Sequence, residues 1–280
     1  MSKSCILFAC TILTEDRLFV LEEFLYEFKQ DFSECDIYVG INPTSAPLVE
    51  QVLANSNLRI VSERATIELY THSDASAYQV ALRLARDSKN TYDNYWFVHT
   101  KGAVNIHSNY LRKWYIDSLL KDRVYIESFL DENKGIGSYG LLGLEFDPNR
   151  NYSEEDTEID LFKNNISQEL PYPHANFFYI HTLYVIKGEL IDKLFSLVTD
   201  NWFTYKLNRY YFEGILPFIV SRSGYFPYLS NRYSMTGKDL LESTNNWICE
   251  NNLVHYKEYT IYKTEFTFNQ LTPPYADSNS

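Results

Sequence analysis

The chain has 280 residues and a formal net charge of −12 at neutral pH, with 45% hydrophobic and 22% charged residues. This length and composition suit a soluble globular protein with a large core, built as one domain or as one domain with a tail. The acidic balance argues against a protein that coats nucleic acid, because neutralising many phosphates needs a basic face. A few local cations can still hold a small anionic ligand.

The cysteines and the apolar runs of the sequence bear on the cellular compartment in which we expect the protein. The four cysteines show neither a CxxC pair nor metal-like spacing. Cys5 and Cys10 lie in an apolar run, so we expect them to be reduced core residues in a reducing compartment. The apolar run from Cys5 to Leu13 is too short to span a bilayer and lacks a cleavage-site region, which predicts a strand. No other stretch reaches membrane-spanning length. We therefore expect a cytoplasmic protein and leave peripheral membrane association open.

The first hundred residues alternate strand and helix patterns. Ser4–Leu13 is continuously apolar, as in strands covered on both faces, and the next segment has Leu18, Leu21, Leu25 and Phe28 at helical spacing. This alternation implies a mainly parallel sheet with helices on both faces. The predicted elements are strands over 4–13, 36–41, 58–61, 67–70 and 95–98, and helices over 16–29, 47–54 and 74–88.

The second half has weaker patterns, which predict an irregular C-terminal half. An acidic, Asn-rich stretch over 147–169 is typical of a surface loop. We expect a single domain over residues 1–270 and a disordered polar tail over 271–280. The remaining predicted elements are one helix or two consecutive helices over 109–130, strands over 135–146 and 176–186, and helices over 189–197 and 205–220.

The most informative segment is the strand that ends in His99-Thr100-Lys101-Gly102. Aromatic and β-branched residues from Tyr95 to Val98 suit a covered strand, and Gly102 permits a close backbone approach. Ligands of open α/β sheets bind beyond the carboxyl ends of the strands. A lysine, a glycine and backbone amides there suit a phosphate or diphosphate. An ordinary strand end with a surface lysine is the alternative.

Several common site motifs are missing from the sequence. No GxGxxG follows the first strand and no GxxxxGK[ST] occurs, which argues against a dinucleotide fingerprint and a P-loop. There is no GxSxG and no Cys/His nucleophile pair, so acyl transfer has no support. His99 and His107 are separated by a glycine turn and do not have the spacing of paired zinc ligands.

Four short stretches carry a resemblance to a known family. They are Ser73-Asp74 before a helix, the block Phe97-Val98-His99-Thr100-Lys101-Gly102-Ala103, the run Asn176-Phe177-Phe178 leading to Tyr184-Val185-Ile186, and Glu213 in an aromatic helix. Together they resemble a family of GT-A-type glycosyltransferases of surface-polysaccharide synthesis that includes relatives of rhamnan-synthesis proteins. The resemblance runs from about residue 4 to residue 230 and implies a GT-A-like (Rossmann-like) fold. In that family His-Thr-Lys-Gly stands where many GT-A enzymes have a metal-binding Asp-x-Asp.

The chain departs from the family pattern in two places. A Trp-Arg pair of the family is replaced by Arg112-Lys113-Trp114, and a Gly-Asn-Phe-Trp stretch by Ala175-Asn176-Phe177-Phe178. Both departures leave the donor and the acceptor open. Arg112 and Lys113 could reach a phosphate, and solvated helix positions are the equally simple alternative.

The resemblance and the chemistry of sugar transfer together nominate donor-binding residues. Lys101 is the candidate for neutralising a leaving diphosphate, and Gly102 for admitting it closely. His99 could donate to a phosphate, bind a metal or merely end the strand. Asp74 could accept hydrogen bonds from donor hydroxyls or act as a helix N-cap. The resemblance places Thr11 where GT-A enzymes contact the nucleoside.

Three further residues are candidates on the acceptor side. Glu213 lies among aromatic residues in a helical pattern, where partial desolvation would make it a better general base; a salt bridge to Arg209 is the alternative. His174 and Asn176 flank an aromatic strand and could meet sugar hydroxyls, although a structural role is the simpler interpretation for His174.

The resulting hypothesis is a hexosyl- or deoxyhexosyltransferase, with inversion as the working prediction. It would move a sugar from a nucleotide-activated donor to a glycan or lipid-linked saccharide. No nucleic-acid partner is expected. Lacking Asp-x-Asp, it should depend only weakly on Mn²⁺ or Mg²⁺, with His99 as the one metal ligand if there is any. The alternatives are a non-catalytic nucleotide- or glycan-binding domain of the same fold and a nucleotidyltransferase.

Overall fold

In the part of the chain that it describes, the computed structural model alternates strands and helices along the first hundred residues, and further strands and helices follow. The described residues are 3–66, 74–101, 103, 112–113, 115–141, 182–198, 200–204, 212, 216, 219–220 and 223–230. The elements in chain order are β1 (Ser4–Cys10), α1 (Leu18–Asp31), β2 (Asp36–Ile41), α2 (Val49–Ala54), β3 (Arg59–Arg64), α3 (Ala75–Asp87), β4 (Asn94–His99), a π-helical turn (Ile116–Leu120), α4 (Arg123–Glu132), β5 (Ile136–Leu141), β6 (Tyr184–Lys187), α5 (Gly188–Leu197) and β7 (Phe226–Ser230), with short 3₁₀ turns at Glu15–Arg17 and Asp200–Thr204.

The strands form one sheet of seven in the order β3-β2-β1-β4-β6-β5-β7. Strand β1 lies between β2 and β4 and is parallel to both, β3 is parallel to β2, and β7 is parallel to β5. Among the described strands, only β6 is antiparallel to its neighbours. The predicted fold class, an α/β protein with a mainly parallel sheet flanked by helices, is confirmed.

Alternate residues of β1 face two separate cores. Leu7 packs with the buried side of α3 on one face of the sheet. Phe8 packs on the other face with Phe24 and Phe28 of α1, at ring-centroid distances of 5.7 and 5.2 Å. Because both faces are covered, the whole strand is buried, which explains why its sequence is apolar throughout rather than alternating.

Helix α3 lies unusually close to the sheet at its first turns. A Cβ placed on Gly40 of β2 would lie 1.8 Å from the carbonyl oxygen of Ala77. Glycine is therefore required for the helix to approach the strand at this distance. This contact fixes the height of the N-terminal end of α3 above the sheet, and Asp74 directly precedes that end.

Two buried hydrogen bonds join α3 to the second half of the chain. The Tyr78 hydroxyl donates to the carbonyl of Thr182 at 2.8 Å, and the Gln79 side chain donates to the carbonyl of Trp202 at 2.8 Å. Buried backbone carbonyls need hydrogen-bond partners. The two side chains provide these partners for the carbonyls of Thr182 and Trp202. The first two turns of α3 are thus held from the sheet and from the C-terminal half.

Most predicted elements are found, with differences at their ends. The first strand stops at Cys10 rather than Leu13. The sequence reading missed β7, whose Pro227 lacks a backbone N–H and argues against a strand; the strand lies at the edge of the sheet, where proline is tolerated. Predicted elements over 67–70 and 147–169, the irregular C-terminal half for the most part, and the 271–280 tail lie outside the described residues. The single domain over 1–270 stays a prediction.

Among the helices of the described residues, none combines the length and the apolar character needed to cross a bilayer.

Candidate nucleotide-binding site

The chain changes direction across the sheet between β1 and β4. From β1 it moves outward through β2 to β3, then returns past α3 to β4 on the other side of β1. In open α/β sheets the connections leave opposite sides of such a point, and a crevice opens outside the carboxyl ends of the two strands. Thr11 directly follows β1 and His99 ends β4, so both residues lie at this crevice.

Two threonines extend the pairing of β1 and β4 beyond the ends of the strands. The Thr100 hydroxyl accepts a hydrogen bond from the Thr11 N–H at 2.8 Å and donates one to the Thr11 carbonyl at 3.0 Å. The Thr100 N–H donates to the Ala9 carbonyl at 3.2 Å. Because one hydroxyl satisfies both backbone groups of Thr11, the two chain ends are held in a fixed relation.

Asp74 connects the same two strand ends through its side chain. Its Oδ2 lies 2.7 Å from Nδ1 of His99, and its Oδ1 accepts a hydrogen bond from the Thr11 hydroxyl at 2.9 Å. Asp74 occupies the N-cap position of α3, yet its side chain makes no capping hydrogen bond. Of the two roles left open by the sequence, helix capping by this carboxylate is therefore wrong.

The alternation of β4 explains why His99 meets Asp74. Tyr95 and Phe97 belong to the core on the α3 side of the sheet, and His99 continues this side by the two-residue period of a strand. The helix begins directly above this position. Sequence spacing alone does not reveal the contact, because Asp74 and His99 are separated by the whole of α3.

The charge state of Asp74 follows from these neighbours. Burial by itself would raise the pKa of this carboxyl group, but the nearby His99, the hydrogen bonds from His99 and Thr11, and the positive charge of Lys101 lower its pKa below the usual value. Asp74 is therefore a carboxylate at neutral pH. Nδ1 of His99 then carries the hydrogen that it donates to Asp74, which fixes the tautomer of a neutral ring.

The other ring nitrogen of His99 is the unusual atom of the site. His99 is 8% exposed, and its buried Nε2 has no hydrogen-bond partner among the described residues. Leaving a buried polar atom unpaired costs about 1–3 kcal/mol. Such atoms in folded proteins call for an explanation, and a bound ligand is one.

Lys101 adds a positive charge beside this pair. Its side chain is partly buried, and its charge contributes to the lowered pKa of Asp74. Its N–H donates to the His99 carbonyl at 2.7 Å, and the Ala103 N–H donates to the Thr100 carbonyl at 3.2 Å. The chain thus turns sharply after β4 and keeps Lys101 at the strand end. We call Thr11, Asp74, His99, Thr100 and Lys101 the switch-point cluster.

The structure brings together four of the donor-side candidates. Thr11, Asp74, His99 and Lys101 all belong to the switch-point cluster, whereas Gly102 lies outside the described residues. Thr100 had no role in the sequence interpretation, although it stands between two candidates in the motif. Its hydroxyl bonds with Thr11 could not be read from its type alone. The acceptor-side candidates His174, Asn176 and Glu213 lie outside the described residues.

Phe212 is the described residue nearest in sequence to Glu213. Its ring centroid is 5.5 Å from that of Tyr78 in the first turn of α3, and its carbonyl accepts a hydrogen bond from the Tyr184 hydroxyl at 2.7 Å. Phe212 is 1% exposed. The chain at residue 212 therefore packs on α3 one turn beyond Asp74.

Arg112 does not have the solvated position that was one of the two roles considered for it. It is buried, with its Nε 2.7 Å from Oε2 of Glu23 on α1, and its guanidinium lies 5.4 Å from the centroid of the Phe19 ring. A solvated helix position is thus wrong, and the arginine joins the chain after β4 to α1. Lys113 beside it is exposed.

In the part of the chain that the structure describes, no three His, Cys, Asp or Glu side chains come together as metal ligands. His99 offers a single nitrogen, and both oxygens of Asp74 are occupied by His99 and Thr11. These residues do not fit a metal centre built by the protein alone. A divalent ion there would need oxygens from the substrate.

No protein-family model matches the chain. No curated protein matches it either. Among solved structures, a mannosyltransferase from Pyrobaculum calidifontis in complex with GDP-mannose and Mn²⁺ is similar, with a TM-score of 0.36 and 11% sequence identity. The match covers 69% of this chain and 46% of that chain, so the chain spans less than half the length of that protein. A likeness of this size does not bear on function, and the switch-point cluster is interpreted from its own geometry.

Proposed function

We propose that the chain is a glycosyltransferase that moves a sugar from a nucleotide-activated donor to a glycan or lipid-linked saccharide. The observation that carries the proposal is the switch-point cluster at the carboxyl ends of β1 and β4. There a buried imidazole nitrogen that has no partner among the described residues lies next to a lysine. This is the position at which open α/β sheets bind nucleotides. A lysine cation at this position suits the diphosphate of a nucleotide sugar.

In the proposed reaction the leaving diphosphate is stabilised by this cluster. Lys101 supplies positive charge to the departing phosphate oxygens, His99 contacts them through Nε2, and Gly102 lets the phosphates come close to the backbone. Thr11 lies beside the nucleoside. Asp74, which is held at both oxygens, orients His99 rather than binding the donor itself.

The acceptor hydroxyl needs a base, and we propose Glu213 for this role. The residue before it packs on Tyr78, one turn beyond Asp74, which supports a location on the same side of the sheet. His174 and Asn176 are proposed to contact sugar hydroxyls. Glu213→Gln keeps the shape and removes the base, so turnover should fall by about 10²-fold or more while the donor nucleotide still binds. Near-normal turnover would contradict the assignment.

A divalent ion is proposed to have a secondary part. An ion such as Mg²⁺ or Mn²⁺ would add positive charge on the diphosphate and would be held mainly by phosphate oxygens, with His99 as the one protein ligand in reach. Activity should therefore persist at a reduced level after chelation. Complete loss with EDTA and full recovery with Mn²⁺ would show that the metal, and not Lys101, carries the charge.

The first experiment is a binding panel on the whole chain. Thermal unfolding is followed with nucleoside diphosphates, nucleotide sugars, nucleoside triphosphates and oligosaccharides, because a ligand of the folded state raises the melting temperature. Nucleoside diphosphates and nucleotide sugars are expected to stabilise. A response to oligosaccharides alone would favour a glycan-binding domain. A response to triphosphates with pyrophosphate release would favour a nucleotidyltransferase.

A pair of lysine variants makes this panel specific for the cluster. Lys101→Met removes the proposed diphosphate contact and should weaken nucleoside diphosphate binding by at least tenfold, about 1.4 kcal/mol. Lys29→Met removes an exposed charge of α1 and should leave binding unchanged. Equal nucleoside diphosphate affinities of the two variants would show that Lys101 does not contact the donor.

The setting of the reaction is proposed on the sequence resemblance alone. A rhamnan-synthesis-like enzyme would build a surface polysaccharide from the cytoplasmic side of a membrane, in peripheral contact with it. Incubating the protein with labelled nucleotide sugars and lipid-linked saccharides would test this. Transfer only to a soluble small molecule would contradict the polysaccharide assignment.

A further inference from the structure

We propose that two copies of this chain pair through their β3 strands, which join the two sheets into one across a two-fold axis. The interaction surface is the outer edge of β3 (Arg59–Arg64), and the partner is a second copy in antiparallel orientation. This assembly is independent of the proposed function. Three features support it: the position of β3 in the sheet, the direction of its backbone groups and the order of its charges.

Strand β3 lies at one end of the sheet. Among the described strands it pairs only with β2, to which it is parallel. An edge strand presents backbone N–H and C=O groups that can pair with another chain. The strand at the other end, β7, contains Pro227, which cannot donate such a bond. The sequence of β3 has no proline, so every residue of this edge has an N–H.

The pairing with β2 shows which backbone groups of β3 point towards a second copy. The Ala65 N–H, directly after the strand, donates to the Ile41 carbonyl of β2 at 2.8 Å. Backbone groups alternate in direction along a strand, because the pleat has a two-residue period. The backbone groups of Ile60, Ser62 and Arg64 therefore face away from β2.

The outward groups at the middle of β3 allow two hydrogen bonds between the copies. The Ile60 N–H donates to the Leu58 carbonyl of its own chain at 2.9 Å and does not contribute. The Ser62 N–H of each copy can donate to the Ile60 carbonyl of the other copy, as opposite residues of an antiparallel pair do. Because the interface is a short strand edge, we expect a weak dimer with a dissociation constant of about 1–100 µM.

The side chains of β3 select one register for this pairing. Residues with outward backbone groups must lie opposite one another, so the two-fold axis passes through a residue and not between two. With the axis at Val61, Arg59 of each copy lies opposite Glu63 of the other. An axis at Ile60 or at Ser62 brings no opposite charges face to face. Opposite charges stabilise a cross-strand pair and like charges destabilise it.

The residue at the axis is an exposed β-branched side chain. Val61 is 51% exposed, and in this register it lies opposite Val61 of the second copy. The two side chains form a non-hydrogen-bonded pair, in which side chains approach most closely. Dimerisation therefore removes apolar surface from water between the two ion pairs.

Both charged side chains are accessible to a second copy. The Arg59 side chain is 66% exposed and that of Glu63 is 48% exposed. Within the chain Arg59 makes a 3.9 Å pair with Asp36 and a hydrogen bond to the Glu34 carbonyl, and Glu63 pairs with Arg83 at 2.5 Å. Exposed pairs of this kind contribute little to stability, so they do not prevent contacts with a second copy.

The first measurement is sedimentation velocity of the unmodified full chain. Between about 1 and 200 µM it should show a reversible monomer–dimer equilibrium. A monomer over the whole range would overturn the proposal, and this would include the case in which another segment of the same chain covers the β3 edge. This result does not depend on whether any variant folds.

Charge reversal tests the ion pairs of the interface. By symmetry, Arg59→Glu replaces two opposite-charge pairs by two like-charge pairs, and dimerisation should weaken by about tenfold or more. Glu63→Arg should have the same effect. The double variant exchanges the charges and should recover most of the affinity. Lys29→Glu makes the same charge change at an exposed position of α1 and should leave dimerisation unchanged.

An introduced cysteine tests the register directly. In a Cys249→Ser background, where the described native cysteines are buried, Val61→Cys places two thiols at the axis. Their Cα atoms would be about 4.5 Å apart, which suits a disulfide. Mild oxidation should then give a covalent dimer. Ser62→Cys is the matched control, because its two copies lie diagonally at about 7–8 Å and should not crosslink efficiently.

The variants separate this interface from other ways of forming a dimer. A dimer that persists unchanged in both single charge reversals uses another surface and would overturn the proposal. Failure of the double variant to recover affinity, or crosslinking of Ser62→Cys as efficient as that of Val61→Cys, would overturn the register on which the proposal depends.

Discussion

The two ends of the central strands β1 and β4 carry polar clusters that differ in how completely their polar groups are hydrogen-bonded within the protein. At the carboxyl end, Asp74 joins Thr11 and His99, and one buried nitrogen of His99 has no partner among the described residues. At the amino end, Glu127 joins Ser4 of β1, Trp96 of β4 and other donors. The two clusters are similar in composition, since each has a carboxylate between the same two strands, and they differ in how completely the protein satisfies them.

We call Ser4, Trp96, Arg123, Glu127 and Glu34 the amino-end network. Oε1 of Glu127 accepts hydrogen bonds from Ser4 at 2.6 Å, from Arg123 Nε at 2.9 Å and from Trp96 Nε1 at 3.2 Å. Nη1 of Arg123 is 2.7 Å from Oε1 of Glu34. Here a buried charge is enclosed by protein donors, as structural ion pairs require.

The comparison separates stability from binding. A network whose charges are paired within the protein has no need of a ligand, and removing a member leaves a buried charge behind. A cluster whose buried nitrogen has no partner in the described part of the chain carries a cost in the free protein that a ligand can offset. Substitutions at the amino end should therefore act on folding, and those at the carboxyl end on nucleotide binding.

The largest effect on stability is expected at the amino end. Arg123→Met leaves the buried Glu127 carboxylate without its cation, so the free energy of unfolding should fall by about 3–5 kcal/mol in urea denaturation. Arg59→Met is the control, because this exposed side chain makes a 3.9 Å pair with Asp36 and a solvent-exposed hydrogen bond to the Glu34 carbonyl, and it should change stability by less than about 1 kcal/mol. The folded fraction should bind nucleoside diphosphates normally. Weaker binding would contradict the separation.

Two glycine variants should destabilise to a similar degree and differ in binding. In Gly40→Ala the new methyl group would meet the Ala77 carbonyl at 1.8 Å, and in Gly188→Ala it would meet the Tyr92 carbonyl at 1.7 Å. Each should cost about 1–3 kcal/mol by overpacking. Only Gly40→Ala moves the start of α3, and with it Asp74, so only this variant should lose nucleotide affinity in calorimetry. Equal affinities would show that the position of α3 is not critical.

A smaller effect with a defined pH dependence is expected for Asp74→Asn. The lowered pKa of Asp74 means that its carboxylate stabilises the fold above the unfolded-state pKa of about 3.9 and loses this contribution as the pH falls through the folded-state value. The variant should be less stable by about 1–2 kcal/mol at neutral pH. The difference should shrink below about pH 4. A constant difference in unfolding free energy from neutral to acidic pH would assign the loss to packing instead.

The smallest effect on stability is expected for His99→Gln. The change breaks the hydrogen bond to Asp74 but also removes a buried nitrogen for which the described residues offer no partner, and the two contributions oppose each other. The free energy of unfolding should change by no more than about 1 kcal/mol, whereas nucleoside diphosphate affinity should fall clearly. A loss of stability as large as that of Arg123→Met would make the two ends equivalent and the cluster structural.

The extent of sequence-based prediction differs along the chain. The continuous apolar run of β1 and the helical spacing in α1 predicted a covered parallel sheet, since a strand buried on both faces is apolar at every position. The edge strand β7 was not predicted, because its proline is unusual in a strand. The amino-end network was not foreseen either. Arg123 and Glu127 have the i, i+4 spacing of an ordinary surface pair, and only their packing under Ser4 and Trp96 buries them.

The sequence by itself determined the α/β class and the strand that ends in His99-Thr100-Lys101, because burial and chain turns leave local signals in residue type and spacing. It also supplied Thr11, Asp74, His99 and Lys101 as separate candidates. Only the tertiary structure decided that the Asp74 side chain turns from the helix end towards His99 and Thr11, which leaves one imidazole nitrogen without a partner among the residues that the structure describes. The reason is physical: hydrogen bonds between residues far apart in sequence depend on how α3 lies across the sheet. Gly40 allows α3 to approach the sheet closely, but a glycine in the sequence does not indicate which residue will pack against it.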